Sequence, residues 1–201
     1  MKKLICAMLM LALVVCVSAC SDTDVELSDG ASLVCDLLEE LIDREYVSVN
    51  VTVVTDTEFA QLSARYYINE NSVTYSIEQL NLLPSLDGAG EPSPDAKTLT
   101  EGVAIIENGE IVELNGEDVT LPEGSELTGK FNFDADNLQN IVAENGVLTA
   151  DVISPSQFYG AEVDMKDVKV AVKYSDSAVE EITVSYSTEK AAVRATYEFE
   201  G

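Results

Sequence analysis

The sequence predicts an α+β, mainly β protein: a large curved antiparallel sheet, a half-barrel, with an N-terminal helix and a short second helix on its concave face. Three observations carry this expectation. Apolar and polar residues alternate with a period of two in segment after segment, the mark of strands with one face buried and one wet. One stretch near the start repeats its apolar residues at spacings of three and four, the mark of an amphipathic helix. Turn-forming pairs and Pro/Gly clusters separate these segments at short intervals.

The first helix is expected from about Ala31 to Arg44, with Asp29 able to cap it. Val34, Leu37, Leu38, Leu41 and Ile42 form its apolar stripe, and Glu39, Glu40 and Asp43 its wet face. Cys35 falls beside that stripe and reads as a small buried residue.

From Tyr46 the period changes to two. Val47, Val49, Val51 and Val53 alternate with Ser48, Asn50 and Thr52. A turn at Thr55-Asp56-Thr57 leads to Ala60, Leu62, Ala64, Tyr66 and Ile68, and Asn69-Glu70-Asn71 turns into Val73, Tyr75 and Ile77. Three consecutive antiparallel strands follow from this pattern. The stretch Leu82 to Thr100 holds Pro84, Gly88, Gly90, Pro92 and Pro94, and is expected to be a long surface loop.

Asn108-Gly109 separates two apolar runs, Val103 to Ile106 and Ile111 to Leu114, as a tight hairpin turn does, and Asn115-Gly116 supplies a second turn. Thr128 to Phe133 is a further candidate strand. Asp136-Asn137-Leu138-Gln139 has the form of a capping box and predicts a short helix carrying Leu138, Ile141 and Val142, closed by Asn145-Gly146. Val147 to Ile153 then reads as a strand stopped by Pro155. A final meander is written in Val168, Val170, Val172 and Tyr174, then Ile182, Val184 and Tyr186, then Val193, Ala195, Tyr197 and Phe199. Its turns fall at Ser175 to Ala178 and Ser187 to Lys190.

The start of the chain predicts an address. Met1-Lys2-Lys3 is basic, Leu4 to Val17 is an apolar run of 14 residues, and Val17-Ser18-Ala19-Cys20 closes it with small residues. A helix needs ~20 apolar residues to span a bilayer core, so this run reads as a removable signal. The closing box resembles that of bacterial prolipoproteins. The resemblance implies a diacylglyceryl group on the Cys20 thiol and cleavage before it, and two acyl chains suffice for stable anchoring. The expected organisation is a signal peptide over 1–19, a tether over 20–27 and a single domain over 28–201. Seven residues from Ser21 to Leu27 reach at most ~25 Å, which holds the domain close to the membrane.

Removal of 1–19 leaves 9 basic and 37 acidic residues, a charge of −28. Such a body repels phosphate backbones, which excludes nucleic acid as a partner. The four cysteines reduce to Cys20 and Cys35, so no intramolecular disulfide is expected if Cys20 is acylated. Histidine is absent, which removes the commonest general base and the commonest ligand of softer metals. Asp134-Ala135-Asp136-Asn137 alternates oxygen ligands as calcium loops do but lacks their glycine and closing glutamate, and capping already explains Asp136. No cofactor, no metal and no enzymatic activity are expected.

The order of elements, taken with the box at Cys20, resembles the lipoprotein carrier superfamily that includes the LolA and LolB carriers and the mycobacterial LppX and LprG lipoproteins. The resemblance is one of architecture over most of the mature chain, and only the Cys20 match is residue-specific. Two functions follow as expectations. The first is a membrane-anchored extracytoplasmic module that binds a lipid or other hydrophobic ligand. Its candidate lining is Val49, Val51, Leu62, Tyr66, Tyr75 and Ile77 from the sheet with Leu138, Ile141 and Val142 from the short helix. The second is an interaction or sensor lipoprotein with a filled core, whose partner is another envelope protein and whose long loop carries recognition.

Overall fold

The computed structural model describes residues 27–43, 47–83, 90–107, 110–118, 133, 135–159 and 163–200. Among the described residues eleven strands form a single antiparallel sheet in the order β6-β5-β4-β3-β2-β1-β11-β10-β9-β8-β7. In chain order these are β1 (Ser48–Asp56), β2 (Ala60–Asn69), β3 (Ser72–Leu83), β4 (Glu91–Glu107), β5 (Glu110–Leu114), β6 (Glu117–Asp118), β7 (Leu138–Glu144), β8 (Val147–Val152), β9 (Lys166–Tyr174), β10 (Val179–Ser187) and β11 (Ala192–Glu200). The sheet is open: β6 and β7 are its two edges and do not pair with each other. Among the described residues two α-helices accompany it, α1 (Asp29–Asp43) and α2 (Pro155–Tyr159).

The alternation read from the sequence becomes two distinct faces. One lateral row crosses eight strands as successive cross-strand partners: Leu148, Val172, Ile182, Tyr197, Val51, Tyr66, Tyr75 and Gly102. The seven side chains of that row are each 3% exposed or less. Fully burying a side chain of this size contributes roughly 1.5–3 kcal/mol, so the inner face is the main source of stability. Neighbours along each strand point the other way and carry Asn, Thr, Ser, Glu, Lys and Arg. The two meanders meet where β1 lies against β11, with Ser48 opposite Glu200 and Asp56 opposite Ala192. This long-range pairing joins the beginning of the domain to its end.

Helix α1 is capped by Ser28, one residue before the expected cap: its Oγ accepts from the Ala31 N–H at 3.4 Å and its carbonyl from the Ser32 N–H at 2.9 Å. Ala31, Val34, Leu37 and Leu38 are buried against the sheet, and Cys35 on the flank is half-buried. The helix lies mainly on β7, β8 and β10. Its first turn sits so close that a Cβ at Gly30 would stand 2.9 Å from Tyr174 Oη and 3.1 Å from Ala143 Cβ.

Several expectations are corrected. Leu138, Ile141 and Val142 belong to strand β7, preceded by a single 3₁₀ turn over Ala135–Asn137, and not to a helix. A bulge explains the misleading spacing. The register between β7 and β8 shifts between Gln139 and Val142, and Asn140 takes φ of 54° there, which spaces the half-buried Leu138 and Ile141 by three residues. Asn145-Gly146, with φ of 54° and 75°, is then the hairpin turn from β7 to β8 and no helix cap. Asn115-Gly116 makes the same kind of turn from β5 to β6.

The second helix stands at α2, where Ser154 caps and Pro155 takes the first helical position; the strand before it ends at Val152. The expected loop over 82–100 is mostly strand: β3 runs to Leu83, β4 begins at Glu91, and Pro92 stands opposite Leu82 past a register shift. Residues 84–89, the pair Asn108-Gly109 and most of the expected strand 128–133 lie outside the described residues; Phe133 is described and buried.

A buried carboxamide ties the entry to β7 to the entry of α2. Asn137, 4% exposed, accepts from the Ser154 N–H at 2.8 Å through Oδ1 and donates to the Ser154 carbonyl at 3.0 Å through Nδ2. Both halves of the amide are thereby satisfied, which is the condition for burying one.

Candidate functional site

The six sheet residues expected to line a hydrophobic site are brought together. Val49 and Val51 on β1, Leu62 and Tyr66 on β2, and Tyr75 and Ile77 on β3 share the inner face of three adjacent strands. Tyr66 stands directly opposite Tyr75, and Val51 opposite Tyr66. All six are between 1% and 9% exposed. Leu138, Ile141 and Val142 are not brought to them. Five inter-strand steps of ~4.8 Å separate β1 from β7, about 24 Å across the sheet, and Val142 faces solvent at 49% exposure.

An aromatic group that the pattern of alternation did not single out lies beside the inner row. Phe158 of α2 is fully buried, with its ring edge-on to Phe133 at 5.4 Å and to Tyr159 at 5.2 Å. The dipeptide Ser154-Pro155 was the available signal, since Ser before Pro is a helix start. Under the end of α1, a cleft of about 230 Å³ is floored by Leu37, Leu41, Val179 and Phe199 and rimmed by Glu40, Glu180 and Glu200. Ligand pockets of drug-sized molecules begin at about 300 Å³, so this cleft alone is small for one.

The polar atoms on the inner face are chiefly phenols, and burial governs them. It pushes the Tyr186 hydroxyl up to about 12. It raises Tyr66, Tyr159 and Tyr197 further, with smaller contributions from neighbouring phenols: Tyr75 for Tyr66, Tyr197 and then Tyr186 for Tyr159, and Tyr186 for Tyr197. Since each folded value lies above the ordinary value of about 10, the folded state holds these protons longer than the unfolded chain. Their stabilisation is complete below pH ~10 and is lost as pH rises toward the folded values, by up to ~1.4 kcal/mol per phenol per unit. The expected result is cooperative alkaline unfolding above pH ~10, in which circular dichroism and phenolate absorbance change together. Phenolate absorbance that rose fully while the sheet signal stayed intact would contradict this assignment.

Cys20 lies outside the described residues, as does Asp134. Among the described residues, no group of three or more His, Cys, Asp and Glu side chains is placed to hold a metal ion, and no helix is long and apolar enough to cross a membrane. The chain matches no protein-family model and no sequence among the curated proteins.

Proposed function

We propose that this protein is an extracytoplasmic lipoprotein, held to the cell membrane by acyl chains on Cys20, whose open sheet binds a lipid or other hydrophobic ligand on its inner face. One observation supports the ligand above the others. Helix α1 lies mainly on β7, β8 and β10, whereas the apolar rows continue across β11, β1, β2 and β3. The sheet thus carries more apolar inner face than its own long helix covers, and Val49, Val51, Leu62, Tyr66, Tyr75 and Ile77 lie in the surplus. The role is binding and not catalysis, in a chain without histidine. The partners of the proposal are the membrane and the hydrophobic ligand. The likeness to LolA, LolB, LppX and LprG is part of this proposal, and it rests on element order and the box at Cys20.

A second reading, an envelope interaction or sensor lipoprotein with a filled core, is favoured by a different observation: those six side chains are each less than 10% exposed. Both readings share the anchor and differ in cargo.

Expression in a bacterial host tests them together. The mature protein should enter the detergent phase with the mass of a diacylglyceryl group, and Cys20→Ala should lose both that mass and the cleavage before residue 20. A wild-type product that stays in water without that added mass sinks the anchor. Native mass spectrometry of the purified protein should show a co-purifying lipid; a bare mass overturns carriage and leaves the filled-core reading.

A further inference from the structure

A concavity of about 810 Å³ is lined chiefly by outer-face residues of the sheet, and Val51, Tyr66, Tyr75 and Gly102, which lie between them along the strands, also border it. Its lining follows from register. Asn50 pairs with Tyr67, Tyr67 with Thr74 and Thr74 with Val103, while Thr52 pairs with Arg65, Arg65 with Ser76 and Ser76 with Glu101. Direct cross-strand partners share a face, so these are two adjoining rows across β1 to β4. Glu198 extends the first row onto β11 opposite Asn50.

The size falls within the range of small-molecule sites, ~300–1,000 Å³. The chemistry is narrower. Tyr67 and Val103, 37% and 43% exposed, are large apolar side chains open to solvent in the concavity. Around them stand neutral donors and acceptors, Asn50, Thr52, Thr74 and Ser76, with Arg65 as the one cation among the described residues of the lining. Glu200 braces two of these groups from β11: Asn50 Nδ2 donates to it at 3.2 Å and the Tyr67 hydroxyl at 3.3 Å. The Tyr67 ring is thereby held at a fixed place before any ligand arrives, which lowers the ordering cost of binding.

The geometry points to a binding site for a short neutral oligosaccharide, with Tyr67 as the stacking platform. A pyranose ring presents an apolar C–H face and a rim of hydroxyls, and this lining offers the complement of both. Vicinal hydroxyls donate to the Glu101 and Glu198 carboxylates and accept from the Arg65 guanidinium, the stronger class of hydrogen bond. Anionic ligands are disfavoured by the carboxylates of Glu101, Glu198 and Glu200 and by the chain's charge of −26. An acyl chain is disfavoured because it would strip water from all these polar groups without replacing their hydrogen bonds. A purely cationic peptide gains from the carboxylates but meets Arg65 at the centre. This site goes beyond the hydrophobic ligand proposed above and stands or falls independently of it.

The test is titration of the mature full-length lipoprotein, in a sugar-free zwitterionic detergent, with cellotriose and with triacetylchitotriose, followed by calorimetry and saturation-transfer NMR. At least one sugar should bind and saturate. Tyr67→Ala, on an exposed face, should keep the parent's circular dichroism and weaken binding about tenfold or more, whereas Tyr67→Phe, which keeps the ring, should stay within about threefold. Absence of saturation transfer from both sugars at about 10 mM overturns the site, as does an affinity indifferent to Tyr67→Ala. Salt-sensitive binding of an oligolysine peptide without sugar binding overturns it in favour of a peptide surface.

Discussion

Tyr197→Ala is expected to remove about 3–5 kcal/mol of stability, a drop of roughly 10 °C in Tm for a domain of this size. Tyr197 is 2% exposed and occupies the middle of the inner row, between Ile182 on β10 and Val51 on β1. Its strand is one side of the β1–β11 seam, the pairing that joins the two meanders. Truncation therefore opens a cavity at the place where contacts of greatest sequence separation are made. Removing only the hydroxyl, in Tyr197→Phe, should cost far less, on the order of 1 kcal/mol, because the ring that fills the site remains. Tyr67→Ala, on the other face of the same sheet, should stay within ~0.5 kcal/mol. Urea unfolding followed by circular dichroism measures all three. Equal midpoints for the two alanine variants would show that the inner and outer faces have been assigned wrongly.

That contrast between faces is the part of the fold that the sequence makes legible. Val49, Val51 and Val53 alternate with polar neighbours because β1 has one dry side and one wet side, and burial follows the alternation residue by residue. The same holds for β2, β9 and β11, and for β10 from Ile182 onward. Legibility fails where the backbone changes phase. In β7 the bulge at Asn140 resets the alternation, so Leu138, Ile141 and Val142 fall at spacings of three and four that mimic a helix. The Nδ2 of Asn140 donates to Asp151 on β8 at 2.8 Å, a local bond that becomes visible only once β8 is alongside. In β4, Pro92 and Pro94 argue for a loop, yet a strand tolerates proline where no ladder runs on one side. Strand β5 accompanies β4 only from Ala104 to Glu107.

Partner choice was also outside what alternation can say. A half-buried strand reads the same whichever neighbour it has, so the pairing of Ser48 with Glu200 has no local signature. Both surface features follow from it. The six inner candidates were legible as apolar residues, but their gathering on β1 to β3, away from β7, depends on strand order. The outer concavity depends on register across five strands, and none of its lining residues is unusual in its own segment.

Gly102→Val is expected to cost a further ~3–5 kcal/mol, by overpacking instead of truncation. Gly102 ends the inner row on β4, opposite Tyr75. With no side chain there, the Tyr75 ring lies over its backbone, and a Cβ would stand 2.6 Å from Tyr75 Cζ and collide with the Asn115 carboxamide. Asn115 is itself fully engaged. Its Nδ2 donates to the Tyr75 hydroxyl at 2.8 Å, its Oδ1 accepts from the Val103 N–H at 2.9 Å, and its own N–H donates to the Val103 carbonyl at 2.8 Å. Any side chain at 102 must displace the ring, and moving the ring breaks the bond that pins the β5–β6 turn, where Asn115 already holds φ of 54°. Overpacking costs ~1–3 kcal/mol and each lost hydrogen bond ~0.5–1.5, so overpacking with loss of both side-chain bonds of Asn115 comes to ~2–6 kcal/mol, which brackets the expected cost. A double-mutant cycle separates this account from a general intolerance of β4. Gly102→Ala should cost markedly less in a Tyr75→Val background than in the parent, because the ring that it strikes is gone and Asn115 is released to turn aside. Strictly additive costs in that cycle would mean that Tyr75 and Gly102 do not meet as described.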